Sequence, residues 1–263
     1  MIKFTIITVT YNAAKVFRQT AESVLKQNYR NVEHIIVDGA STDDTLAQAK
    51  DYMERSYASG KGHDVRIMSE PDNGIYDAMN KGLTLATGDY VCFINAGDSL
   101  PFPDTLETIV TNAVLDDTQE AGLPLPAVLY GETNIVDDKG NYLCPRRLTP
   151  PEILTWKSFK NGMLVCHQAF YVRTDLAKST PYNMQYKYSA DIDWCIRIMR
   201  LAGKKGLLIK GVHTVIANYM QEGTTTRHHR ESLHERFRIM RHYYGLPTTL
   251  AMHAWFAIRN LKK

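Results

Sequence analysis

Two acids stand where apolar runs of this 263-residue sequence stop. Asp38 follows the run 32–37, and Asp98 closes the turn Asn95-Ala96-Gly97-Asp98 after the run 90–94. A tight turn of small residues ending on a carboxylate is how a sheet edge presents a ligand to a hard cation. Such cations take few protein oxygens, keep water and let phosphates complete the shell. Asp98 is therefore the candidate ligand for a divalent cation that carries a diphosphate. The plainer reading is an N-cap for Ser99-Leu100-Pro101. Asp191 and Asp193 open a predicted helix. Residues two apart on a helix point to nearly opposite sides, so one site receives only one of them. One of the two could then act as a base on a hydroxyl, the other being a helper or a solvent-facing acid. Acids in a first turn are also favoured by the helix dipole alone.

These acids need a scaffold. The run 4–9 is continuous and β-branched, as in a strand buried on both faces; 32–37 reads as a second buried strand, and 65–68 and 90–94 as a third and fourth strand. Between them 13–27 and 75–86 carry helical periodicity, and Ser41-Thr42-Asp43-Asp44 offers capping oxygens to a third helix. This alternation predicts a parallel sheet built from βαβ units. In such a sheet ligands bind beyond the carboxyl ends of the strands. Polar and small residues gather at those ends: Val9-Thr10-Tyr11-Asn12, Asp38-Gly39, Asp72-Asn73-Gly74, and Asn95 to Asp98. Beyond 101 the pattern loosens. Helices are predicted at 104–115 and 189–202, strands at 127–130, 135–136, 169–172, 207–209 and 212–217, and closing helices at 231–244 and 247–261.

The block Asn73-Gly74-Ile75-Tyr76-Asp77-Ala78-Met79-Asn80-Lys81-Gly82, with Ala86-Thr87-Gly88-Asp89-Tyr90 and Phe93-Ile94-Asn95-Ala96-Gly97-Asp98, resembles the inverting family 2 glycosyltransferases. The resemblance covers residues 3 to about 100, and 165–230 more loosely. It implies an α/β chain of GT-A type: a mostly parallel nucleotide-binding sheet flanked by helices, fused to a mixed acceptor lobe and C-terminal helices. It further implies transfer from a nucleotide diphosphate sugar, UDP-linked by preference, to a saccharide or lipid-linked saccharide hydroxyl in bacterial surface polysaccharide synthesis. The donor side would comprise Val9, Thr10, Tyr11, Asn12, Asp38, Asp72, Asn73, Gly74, Asn80, Asn95, Ala96, Gly97 and Asp98, with Tyr11 near uracil and Asp38 accepting its ring N–H. Asp191 stands where the family keeps its base, with Ala190 in place of that element's first acid. His167, Gln168, Trp194 and Asp193 fall on the acceptor side, although His167 and Trp194 also read as core side chains. Gly223, Thr224 and Arg227 lie in a segment resembling a lid over the diphosphate. Asn95 replaces the first acid of the Asp-x-Asp metal motif at a spacing longer by one, so the divalent cation (Mn2+ or Mg2+) rests on Asp98 alone. The Gln-x-x-Arg-Trp signature of processive synthases is missing, which implies addition of a single sugar.

Other classes fit less well. A nucleotidyltransferase would carry a Gly-rich loop and Arg where Tyr11-Asn12 stands, and a dehydrogenase would need GxGxxG there. A non-catalytic sugar-nucleotide binding subunit would keep the rim without the base. The four cysteines are far apart with no CxxC pair, which fits a reducing cytosol. No stretch reaches the ~20 apolar residues of a membrane span, and residues 1–9 lack a signal peptide's charged flank and cleavage site. The net charge of +3 divides unevenly, because residues 227–263 alone carry eight Lys/Arg against two Asp/Glu. That basic, amphipathic tail reads either as an interfacial anchor at the inner face of the plasma membrane or as packing on the body or on a second copy. Nucleic acid is not expected, since the rest of the chain is mildly acidic. The expected divisions are 1–100 for the donor lobe, 101–218 for the acceptor lobe and 219–263 for lid and tail.

Overall fold

The computed structural model describes residues 1–221 and 229–261. β1 (Phe4–Thr10) pairs in parallel with β2 (Val32–Asp38) and β4 (Tyr90–Phe93), and β3 (Asp64–Ser69) joins β2. β1 and β2 are wholly buried because helices cover both faces. α1 (Ala14–Leu25) and α2 (Thr45–Ala58) close one face, where Phe17, Ala21, Ile36, Ala49 and Tyr52 form a core of their own. α3 (Ile75–Leu85) lies on the other, so close that a Cβ on its Gly82 would stand 2.6 Å from Ile7. Ile35 and Val37 join the larger core on that side while Ile36 faces the smaller one, the period-two alternation of a strand. β3 is the half-buried sheet edge.

Past residue 100 come α4 (Thr105–Asn112), α5 (Leu115–Glu120), β5 (Val128–Val136), β6 (Tyr142–Pro145), β7 (Phe170–Arg173), α6 (Thr174–Ser179), α7 (Ala190–Lys204), β8 (Ile209–Met220), α8 (His229–Tyr244) and α9 (Leu246–Leu261). The helix expected over 104–115 breaks at Val114, whose φ of 53° leaves the helical region. β7 runs antiparallel to β4, and one eight-stranded sheet follows in the order β3-β2-β1-β4-β7-β5-β6, with β8 paired to β5. A single sheet thus crosses the division expected at residue 100. Two expected pairs of short strands fuse into β5 and β8. The break read between 209 and 212 survives inside β8 as an irregularity at His213 (φ 52°), where the register with β5 shifts.

The far end of β8 reaches the β4 tip. Ser99 and Asn218 exchange backbone hydrogen bonds of 3.0 and 2.8 Å, which carries Met220 up to Asp98. α7 buries the expected Ile192, Cys195, Ile196 and Met199, and also Trp194 and Ile198. Trp194 stacks on Tyr182 at 4.8 Å and meets Phe93 and Phe170 edge-on.

The tail divides. α8 packs on the body, burying Ile239 and Met240, and Tyr244 stacks on Trp156 at 5.6 Å. Leu233, on the same helix, is exposed. α9 touches α8 through His253 and Phe237, while Leu250, Ala254 and Ile258 lie exposed at helical spacing. No described helix is long and apolar enough to cross a membrane.

Candidate active site

The four strand-end loops meet at one rim, but their acids do different work. Tyr11 is 64% exposed at the end of β1. Beside it Gly39 has no side chain, and the space a Cβ would take is filled by Asp72 Oδ2, 2.4 Å from that position, with Tyr11 Cδ2 3.4 Å away. Asp72 accepts the Gly74 N–H through Oδ1 at 2.8 Å, and among the described residues no donor reaches its Oδ2. Asp38 is turned the other way. It is fully buried, accepts from the Ser41 N–H (3.1 Å) and hydroxyl and from Ser69 Oγ (2.7 Å), and so shapes the loop after β2. The expectation that Asp38 faces the nucleobase is corrected: a carboxylate with no exposed surface needs these internal donors. Asn12 is exposed, and its Oδ1 accepts the Thr42 N–H at 2.9 Å. The end of β1, Val9-Thr10, is buried, and Val9 O accepts the Ala96 N–H at 3.4 Å. Asn73 is exposed and bonds Asp77, while Gly74 takes a φ of 113° at the start of α3, a conformation glycine allows.

Asp98 is also withdrawn. It is 5% exposed, with Oδ2 accepting from Gln168 Nε2 at 2.6 Å and Oδ1 from the Met220 N–H at 2.9 Å. Burial pushes its carboxyl up to about 7, partly opposed by those two hydrogen bonds. Gly97 (φ 100°) passes against Met220, where a Cβ would stand 2.6 Å from Met220 Cε. This arrangement does not fit Asp98 as a ligand of a divalent cation, because both oxygens already serve protein donors. Among the described residues no group of three or more His, Cys, Asp or Glu is placed to hold a metal.

The base candidate is better placed. Asp191 sits in the first turn of α7 with its side chain 19% exposed. Its Oδ1 accepts from Tyr76 Oη at 3.3 Å, and His167 Nδ1 lies 3.8 Å from its Oδ2. Burial lifts the Tyr76 phenol well above its ordinary value, so it stays a donor, and burial holds the His167 imidazole below its usual range despite the Asp191 charge. His167 Nε2 meets Asn95 Nδ2 at 3.3 Å, and Asn95 Oδ1 is buried without a partner among the described residues. A chain of contacts thus runs from the β4 tip through His167 to Asp191 and Tyr76. Tyr76 lies within the stretch 73–82 that carries the resemblance, but nothing local marks a phenol aimed at an acid 115 positions away.

Other expected residues serve the frame. Asn80 exchanges hydrogen bonds with the backbone of Tyr182 (3.1 and 2.8 Å) and so ties α3 to the segment before α7 instead of facing the donor. Gln168 bridges Asp98 and Cys166 and is 1% exposed. Asp193 is buried between Arg197 Nε (2.6 Å) and Tyr243 Oη (2.7 Å), neither a helper nor solvent-facing. Trp194 is fully buried and donates to Thr180 O at 2.7 Å, so it offers no face to a sugar. Of the acceptor-side residues expected, only His167 faces the site. Gly223, Thr224 and Arg227 lie outside the described residues. Two surface cavities, about 290 Å3 between α1 and α2 and about 480 Å3 beside α6 and α7, contain none of the rim residues.

A mostly parallel sheet whose strand tips form an open polar rim beside an acid in the first turn of a helix has the architecture of a GT-A glycosyltransferase. The chain belongs to glycosyl transferase family 2, whose sequence profile matches residues 5–179. It is 33% identical over 221 residues to a "PGL/p-HBAD biosynthesis glycosyltransferase" of Mycobacterium bovis (strain BCG / Pasteur 1173P2), covering 84% of this chain and 77% of that protein. It is 36% identical over 119 residues to the uncharacterized glycosyltransferase YibD of Escherichia coli (strain K12), covering 45% of this chain and 33% of YibD. The fold is similar to that of S. aureus TarS 1-349 in complex with UDP-GlcNAc (TM-score 0.67, 20% identity), covering 91% of this chain and 65% of that one. It is also similar to the mannosyltransferase PcManGT from Pyrobaculum calidifontis in complex with GDP-Man and Mn2+ (TM-score 0.60, 18% identity), covering 98% of this chain and 75% of that one.

The buried Asp98 predicts a pH effect on stability. An unfolded carboxyl ionises near pH ~4, whereas the folded protein holds this proton up to about 7. Between those values the unfolded chain has released a proton that the native state keeps, so this group's contribution falls as pH rises, by up to about 1.4 kcal/mol per pH unit, and is level above. Urea unfolding at a series of pH values is expected to show this slope in the wild type and not in Asp98→Asn.

Proposed function

We propose that the protein is an inverting, non-processive glycosyltransferase that moves one sugar from a UDP-linked donor to a hydroxyl of a saccharide or lipid-linked saccharide. The observation that carries this reading is Asp191, a partly exposed carboxylate held by Tyr76 and linked through His167 to the β4 tip. In this reading the nucleotide lies along the rim with its base on Tyr11. Asp72, not Asp38, accepts the ring N–H, through the oxygen that fills the space above Gly39. Asn95 faces the diphosphate. Asp191 takes the proton of the acceptor hydroxyl as that oxygen attacks the anomeric carbon from the side opposite the departing UDP, which inverts the centre. The proton has somewhere to go only as the hydroxyl becomes acidic in the transition state. His167, with its pKa held low by burial, keeps neutral company with the carboxylate. A divalent cation, if used, enters with the diphosphate; no step here is assigned to it.

Asp191→Asn is expected to lower kcat by about 10²–10⁴-fold while leaving UDP affinity unchanged by calorimetry. Full turnover in that variant would remove Asp191 from the reaction. Asp72→Ala is expected to weaken UDP binding and narrow the preference for UDP over GDP; unchanged UDP affinity would return the base to another residue.

We further propose that α9 rests on an anionic bilayer at the cytosolic face. The support is the exposed row Leu250, Ala254 and Ile258 with Trp255, together with the excess of six positive charges over residues 227–263. Apolar burial and attraction to acidic headgroups add in such helices. Vesicles containing phosphatidylglycerol are expected to co-sediment the protein, phosphatidylcholine vesicles much less, and Leu250→Glu with Ile258→Glu not at all. A concentration-dependent dimer that leaves both vesicle types unbound would instead assign the row to a second copy.

A further inference from the structure

The segment leading into α7 is held from outside. A Ser at the N-cap ordinarily answers one of the helix's free N–H groups. Ser189 holds that place and makes no such bond; its Oγ turns to Ser232 Oγ at 2.9 Å, on α8. The N–H groups of Lys187, Tyr188 and Ser189, the three residues before the helix, donate to one carboxylate, Glu235 of α8, at 2.7, 2.8 and 2.9 Å. Charged acceptors make the stronger hydrogen bonds. The three residues held in this way stand directly before Ala190 and Asp191.

We infer that Glu235 is the positioning residue for Asp191, fixing the backbone from which the carboxylate reaches the rim. This rests on the reading of Asp191 as the base. The contacts of Asp191 support it. Among the described residues its side chain receives only the 3.3 Å Tyr76 bond and lies 3.8 Å from His167, contacts too long to set its position unaided. The backbone must therefore be fixed by other means, and Glu235 is the group that holds it. α8 also bonds α7 at a second point, Tyr243 Oη to Asp193 at 2.7 Å, which supplies a control. That bond joins the same helices but does not touch the segment before Asp191.

The test uses the full chain, UDP as the binding probe, and hydrolysis of whichever of UDP-glucose, UDP-galactose and UDP-GlcNAc turns over fastest. Glu235→Gln keeps the shape but weakens the acceptor, and Glu235→Asp keeps the charge but falls short by one methylene. Both are expected to speed amide hydrogen exchange at 187–189 and to lower kcat about 10- to 100-fold, with UDP affinity within about twofold. Tyr243→Phe is expected to lower the melting temperature and leave kcat near wild type. Glu235 variants with faster exchange and wild-type kcat would overturn the inference while Asp191→Asn stays inactive. An equal kcat loss in Tyr243→Phe would also overturn it, reducing Glu235 to helix packing. If Asp191→Asn turned over normally, the base assignment would fail and this inference with it.

Discussion

The site depends on one buried carboxylate. Asp98 lies in the turn after β4, almost without solvent, and such a group is tolerated only if its oxygens are hydrogen-bonded. The two donors it takes come from different parts of the chain: Gln168, just before β7, and the Met220 N–H at the end of β8. The turn is thereby pinned to both halves of the sheet. Thr20 of α1 adds its hydroxyl to Asp98 O at 2.6 Å. What looked like a ligand is better described as the knot that sets the height of Asn95, Ala96 and Gly97 at the rim.

Burial sorts the acids of this protein into two kinds. Asp38, Asp98 and Asp193 are fully or nearly withdrawn and each answers several protein donors. Asp72 and Asp191 remain partly exposed, each with an oxygen to which no described donor comes within hydrogen-bond distance. A carboxylate fully engaged by its own protein is a poor base and a poor receptor for a ligand's proton, because it must first break existing bonds. The exposed pair is therefore where we propose recognition and proton transfer, and the buried three hold the loops around it.

Much of the fold was legible along the chain. The apolar runs of β1, β2 and β4, the helix of α7 and the Asn73-Gly74 turn were read from period and residue type. The errors share a cause. The sequence marks Asp38 and Asp98 as polar residues at strand ends, and that is true, but polarity does not tell whether a side chain turns out to a ligand or in to a neighbour. β6 escaped notice because Tyr142 to Pro145 is exposed throughout and carries no alternation. Tyr76 and Glu235 escaped because each looks like an ordinary helix position until its distant partner is known.

The sequence by itself determined the βαβ alternation, the strand-end loops, the acid that opens α7 and the basic tail. These follow from short-range steric and hydrophobic patterning, which acts over a few residues. Only the tertiary structure decided which acids face the rim. Those decisions are hydrogen bonds spanning 70 residues from Gln168 to Asp98, 122 from Met220 to Asp98, and 46 from Glu235 to Ser189. A partner that far along the chain comes within reach only when the sheet and its helices have closed, so no local pattern records it.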